Sequence, residues 1–106
     1  MSFAARASAT AVAAFAAGLA LAGAPPSVEI AKFAFAPSEI TVTPGTTVVW
    51  TNRDETPHQI ADPGKAWVSP AMDTGDRFEH TFSSEGDFAY FCTLHPFMTG
   101  VVHVRK

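Results

Sequence analysis

The chain of 106 residues contains a single cysteine, Cys92, so no disulfide can form within it. A disulfide-stapled scaffold is thereby excluded. Charge is sparse as well: 16% of residues are charged, the net charge is −3, and Lys and Arg form no stripe. That argues against a nucleic-acid partner, which requires a basic footprint. Helical periodicity is also missing. Beyond residue 22 no 3.6-residue pattern persists for more than a turn or two, so nothing supports a helical bundle. The same stretch has no internal repeat, linker or low-complexity tract, and it reads as one domain. No general base and nucleophile fall together in a pattern that marks turnover, so an enzyme is not expected.

What is present begins at the N-terminus. Arg6 precedes a run from Ala7 to Val28 that is rich in Ala, Val, Leu and Phe and carries no charge. Small residues follow at Ala20-Leu21-Ala22 and again at Ala22-Gly23-Ala24. This is the pattern of a secretory signal. Residues 1–22 are expected to be removed by cleavage after Ala22, because the later site would place Pro25 beside the scissile bond. The run is long enough to span a membrane, but Ala dominates it and makes a weak span. A lipid anchor would need a cysteine at the cleavage site, and Cys92 lies far from it. The expectation is a periplasmic or otherwise exported protein without a stable anchor. Its mature domain, residues 23–106, holds six Lys or Arg against ten Asp or Glu, a formal charge of −4. A monomer is the default.

Short apolar segments alternate with turn residues through this domain. The expected strands are 28–35, 39–43, 46–51, 57–61, 77–82, 87–92 and 101–105. Pro44-Gly45 suits a type II turn, and Asn52-Arg53-Asp54-Glu55 makes a polar loop. Residues 66–74 are the least readable. Seven or eight short strands with frequent turns point to an all-β fold, a β-sandwich or small barrel.

Chemistry concentrates in Cys92-Thr93-Leu94-His95-Pro96-Phe97-Met98. A thiolate, an imidazole and a thioether recur every three residues, directly after a β-type run. Along that run the two-residue period puts Phe88, Tyr90 and Cys92 on one face, so the cysteine reaches the top of an aromatic core. The chain then loops out and returns, which can aim His95 and Met98 back at the sulfur. Gly100 offers the freedom to re-enter the sheet. Soft sulfur with imidazole and one weak thioether suits copper, and a second imidazole completes the His₂Cys plus axial Met set of blue-copper sites. His58, after Pro57 at an earlier strand, is the candidate.

The loop resembles the cupredoxins, most closely the amicyanins, whose ligand loop reads C-T-P-H-P-F-M. Six of those seven residues stand here, with Leu94 in place of the first proline. V-E-I-A-K, V-V-W-T-N-R, T-P-H, H-T-F-S-S-E-G-D-F-A-Y-F-C and T-G-V-V also look like the family, so the likeness runs from Val28 to Val104. The resemblance implies an eight-stranded Greek-key sandwich that holds one type 1 copper ion through His58, Cys92, His95 and Met98. It implies a soluble carrier of single electrons. Redox partners, such as a c-type cytochrome or a periplasmic dehydrogenase, would dock transiently near His95, Pro96 and Phe97. The stretch between the first His and the Cys is shorter than in amicyanin, which bears on the docking face.

Two departures concern tuning. Leu94 has an N–H where the amicyanin loop has proline; aimed at the thiolate, it would raise the reduction potential. Gln59 stands where relatives commonly carry an Asn that ties the two ligand loops together, and Asn52 is a candidate substitute. His80 and His103 alternate with apolar residues on strands and read as structural or surface histidines. Met72 reads as a core gap-filler, and Trp50 and Trp67 as packing. The main alternative is a periplasmic copper carrier or store using the same four residues. A structural zinc domain is disfavoured by the thioether of Met98. A single-cysteine redox enzyme would need an exposed thiolate, whereas the aromatic strand implies burial of Cys92.

Overall fold

A computed structural model describes residues 24–106. The expected signal, residues 1–22, and its cleavage site lie outside the described residues. Eight strands run in order: β1 (Ser27–Ala31), β2 (Ala34–Ala36), β3 (Glu39–Val42), β4 (Thr46–Asn52), β5 (Ile60–Ala61), β6 (Arg77–Phe82), β7 (Gly86–Cys92) and β8 (Thr99–Val104). They form two four-stranded sheets, β2-β1-β4-β6 and β3-β8-β7-β5. Each sheet is mixed, because β1 pairs β4 and β3 pairs β8 in parallel while the other pairings are antiparallel. The expected all-β sandwich is what the chain adopts.

The core is the sum of the inward-facing alternate residues. Val28 and Ile30 from β1, Val48 and Trp50 from β4, and Val102 and Val104 from β8 are fully buried. Tyr90 and Cys92 of β7 lie inward as the two-residue period requires, with Phe88 packed against the same cluster. Trp50 is the hub. Its ring lies 5.3 Å from Tyr90, 5.8 Å from Trp67 and 6.0 Å from Phe78, centroid to centroid. Trp67, expected as packing, also stacks on His80 at 4.6 Å. His80 is therefore a packing histidine, and burial holds its pKa below the ordinary value against the pull of Asp62.

Where one strand is expected over residues 28–35, the structure has two. Lys32 and Phe33 both take positive φ, 53° and 56°, and form a two-residue hairpin turn that sets Ile30 opposite Phe35. In an unbroken strand those two side chains, five residues apart, would point to opposite faces. The hairpin places both in the core. Neither turn residue is the Gly or Asn that normally marks such a turn, and each left-handed residue costs about 1–2 kcal/mol. The compensation comes from elsewhere in the chain: the Asp54 carboxylate accepts the N–H of Lys32 at 2.6 Å and of Phe33 at 3.0 Å.

Other expectations hold or shift by a few residues. Gly45 has φ 91° and Thr46 N–H donates to Thr43 C=O, the type II geometry expected of Pro44-Gly45. Only Ile60–Ala61 of the expected 57–61 strand is a true strand, although His58 still bridges Met72. Met72 is buried in the core, as read from the sequence. Gly100 serves a different purpose from the one expected. It sits opposite Tyr90 in the β7–β8 register, and the Tyr90 ring occupies the space that a Cβ would need. His103 is a surface staple: Nδ1 meets Asp87 at 2.7 Å and Nε2 meets Glu39 at 2.8 Å, so one ring joins β8 to both neighbours. Asp87, then Glu39, raise its pKa above the ordinary value.

Candidate metal centre

The β5–β7 pairing assembles the site. Ile60 stands directly opposite Cys92, so His58, two residues earlier, arrives beside the end of β7. His58 is anchored by a reciprocal backbone pair with Met72, its N–H donating at 3.1 Å and its C=O accepting at 2.8 Å. Beyond Cys92 the chain closes tightly: His95 N–H donates to Cys92 C=O, Met98 N–H to His95 C=O, and Cys92 N–H to Met98 C=O. These bonds make residues 92–98 a compact loop whose shape follows from its own backbone.

Three donor atoms, from His58, Cys92 and His95, lie within 4.8 Å of one another. Cys92 Sγ is 3.5 Å from His58 Nδ1 and 3.7 Å from His95 Nδ1. Metal–sulfur and metal–nitrogen bonds of about 2.3 and 2.0 Å, opening at about 110–120°, would place their ends about 3.5–3.7 Å apart. The two sulfur–nitrogen separations therefore match those of a His₂Cys metal site. His58, Cys92 and Met98 are buried, whereas His95 is half-buried. The imidazoles lie 5.1 Å apart, and Phe33 meets both edge-on, at 5.6 Å from His58 and 5.0 Å from His95.

The tie between the loops is made by Gln59 itself. Thr93 N–H donates to Gln59 C=O at 2.8 Å, and Thr93 Oγ1 donates to Gln59 Oε1 at 2.6 Å. Gln59 Nε2 reaches on to Ser69 C=O. Asn52 is thus not the substitute. Its amide instead donates to Thr56 and Met72 carbonyls, while its oxygen accepts Asp54 N–H, so it shapes the loop that precedes His58.

The residue that sequence reasoning missed is Asp54. Its Oδ2 lies 2.9 Å from His58 Nε2, on the far side of the ring from the sulfur. Burial pushes its pKa upward, but bonds from Phe33 N–H, His58 and Lys32 N–H outweigh that and hold the carboxyl below its usual range. The only hint in the sequence was a carboxylate four residues before the histidine, and in a loop that spacing implies no contact.

Residues 24–105 match copper-binding proteins of the plastocyanin/azurin family. Amicyanin-alpha of Methylorubrum extorquens is 37% identical over 83 residues, 74% of this chain and 70% of that protein. Amicyanin of Paracoccus denitrificans is 37% identical over the same share of this chain, which spans 63% of it, under two thirds of its length. A solved reduced amicyanin variant superposes with a TM-score of 0.72 at 35% identity, covering 76% of this chain and 82% of that one. The fold also recurs in a copper-containing nitrite reductase from Thermus scotoductus, at TM-score 0.72 and 26% identity, where it accounts for 23% of that chain. Copper is the cofactor these donors suit, and the chain belongs to the plastocyanin/azurin family of copper-binding proteins.

Proposed function

We propose that this protein is a small blue copper carrier of single electrons, with His58, Cys92, His95 and Met98 as the ligands of one type 1 copper. The observation that carries the reading is the donor cluster: one cysteine sulfur and two imidazole Nδ1 atoms within metal-binding reach of one another, at a loop whose two ends, Cys92 and Met98, are buried. Bound there, copper supplies a one-electron couple between Cu(I) and Cu(II). The chain's own part is to hold the donors still. Cys92 is fixed by the end of β7, His58 by its bridge to Met72, and the 92–98 loop by its internal bonds and by Gln59. Donors held this way keep one geometry in both redox states, which favours rapid transfer over substrate turnover. A carrier rather than an enzyme follows from that.

Electrons pass at the half-buried edge of His95. Around it Phe97 is 72% exposed, Leu94 52% and Phe33 42%, an apolar collar suited to a small, transient redox interface. Partners such as a c-type cytochrome or a periplasmic dehydrogenase would dock there. Export to the periplasm is supported by the signal-like pattern of residues 1–22. Among the described residues no helix is long and apolar enough to cross a membrane.

The test is the visible absorption of the purified protein loaded with Cu(II), before and after ascorbate. An intense band near about 600 nm, bleached by reduction and restored by oxidation, is the expected result. A weak band, or copper released on reduction, would move the case to copper delivery or storage.

Leu94 tunes the potential on this reading. Its N–H sits two residues beyond the cysteine; among the described residues the partners of that sulfur are the His58 and His95 rings, and the Leu94 bond would form on loading with copper. A bond to sulfur favours the reduced site, where the thiolate is less strongly engaged by the metal. Leu94→Pro removes the donor. The expected outcome in voltammetry is a potential lower by about 60 mV, the equivalent of about 1.4 kcal/mol in a one-electron couple. An unchanged or higher potential would remove Leu94 from the tuning.

A further inference from the structure

We propose that Asp54 is a positioning residue that makes the Lys32–Phe33 hairpin and the metal site form as one unit, holding the His58 Nε2 proton while it fixes the turn that lays Phe33 over both imidazoles. This rests on the reading of His58 and His95 as metal ligands. Three donors converge on one carboxylate: Lys32 N–H on Oδ1, and Phe33 N–H and His58 Nε2 on Oδ2. The carboxylate is itself held in place, with its backbone N–H on Asn52 Oδ1 and its carbonyl accepting Thr74 Oγ1. No slack remains for the side chain to follow another geometry.

Two consequences follow for His58. An ionised carboxylate only accepts hydrogen bonds, so the proton of a neutral imidazole facing it sits on Nε2. Nδ1, the atom facing Cys92 Sγ, is then bare and able to bind metal. Carboxylates in this outer position fix ring orientation and tautomer, and losing one typically weakens metal binding 10–100-fold. The same oxygens hold a turn whose residues, Lys and Phe, do not favour positive φ, and that turn sets the Phe33 ring 5.0 Å from His95. One side chain thus governs the buried ligand directly and the cover of the half-buried ligand through the hairpin.

Asp54→Asn is the discriminating change. The amide presents one acceptor and one donor to three N–H groups, so at least one contact fails. Turned with its NH₂ toward His58, it favours the tautomer with a bare Nε2 and a protonated Nδ1, the wrong one for metal. The measurement is ¹⁵N NMR of the histidine rings in the copper-free protein, paired with Cu(I) affinity by competition with a chelator. Expected are an Nε2–H tautomer for His58 in the native chain, loss of that single tautomer in Asp54→Asn, and affinity weaker by about 10–100-fold. A native Nδ1–H tautomer, or affinity within twofold of native, overturns the proposal. Should Asp54→Asn fail to fold, the comparison is made in a Lys32→Asn/Phe33→Gly background, where Asn-Gly closes the turn without the carboxylate. The native copper spectrum tests the ligand assignment separately. Its absence would defeat that assignment, whereas a native band with an unaffected Asp54→Asn would defeat only this proposal.

Discussion

Cys92→Ser is expected to remove the band near about 600 nm entirely, because that absorption belongs to a thiolate bonded to copper. Serine keeps the size of the side chain and removes the soft, ionisable sulfur. Copper affinity should fall by more than the 10–100-fold that the loss of an outer hydrogen bond typically costs. Cys92 is fully buried at the end of β7 beside the Nδ1 atoms of His58 and His95, so a serine hydroxyl there keeps polar partners in the copper-free protein. Near-UV circular dichroism of the copper-free variant would show whether it still folds, separating loss of the ligand from loss of the fold. Met98→Ala gives the contrast. A thioether is the weak, long axial ligand of such sites, so this variant should keep a strong visible band while its potential moves. Retention of the band in folded Cys92→Ser would mean that the sulfur is not the ligand.

Gly100→Ala should be the most damaging single methyl group in the domain. The added Cβ would enter the Tyr90 ring, which lies across Gly100 from the paired strand and is 2% exposed. Tyr90 has little room to move, since Trp50 and Phe35 hold it at 5.3 and 4.8 Å. Burial has already pushed its hydroxyl pKa up to about 12, against a smaller opposing pull from Trp50. Overpacking of this kind costs about 1–3 kcal/mol, and each kcal/mol lowers Tm by about 4–8 °C in a domain of this size. Thermal unfolding of Gly100→Ala, Tyr90→Leu and the double variant forms a cycle. If the clash is with the ring, the alanine costs much less once Tyr90 is gone. An equal cost in both backgrounds would mean that Gly100 matters for backbone conformation, as its place in the sequence suggested.

The residues differ in how far the sequence alone discloses them. Cys92, His95 and Met98 were legible because they are adjacent in the chain and their side chains name a chemistry. The inward face of β7, with Phe88, Tyr90 and Cys92, followed from the two-residue period. His58 needed a resemblance, since one histidine after a proline carries little information by itself. The Lys32–Phe33 turn was not legible at all. Its positive φ angles are imposed by a carboxylate more than 20 residues away, and a local window contains nothing of that. Gln59 was doubted for lacking the shape of asparagine, but the spacing of β5 and the 92–98 loop leaves room for the longer amide.

The sequence by itself determined the fold class, the identity of the metal and the loop that gathers sulfur and imidazole in one place. Alternation, turn chemistry and ligand softness are local properties, written in neighbouring residues. Only the tertiary structure decided which imidazole face meets the sulfur, what holds the opposite face, and which ring covers the pair. Those are matters of distance between segments remote in the chain. The pairing of β5 with β7 brings His58 to Cys92, and the Asp54 carboxylate brings the β1–β2 hairpin to His58.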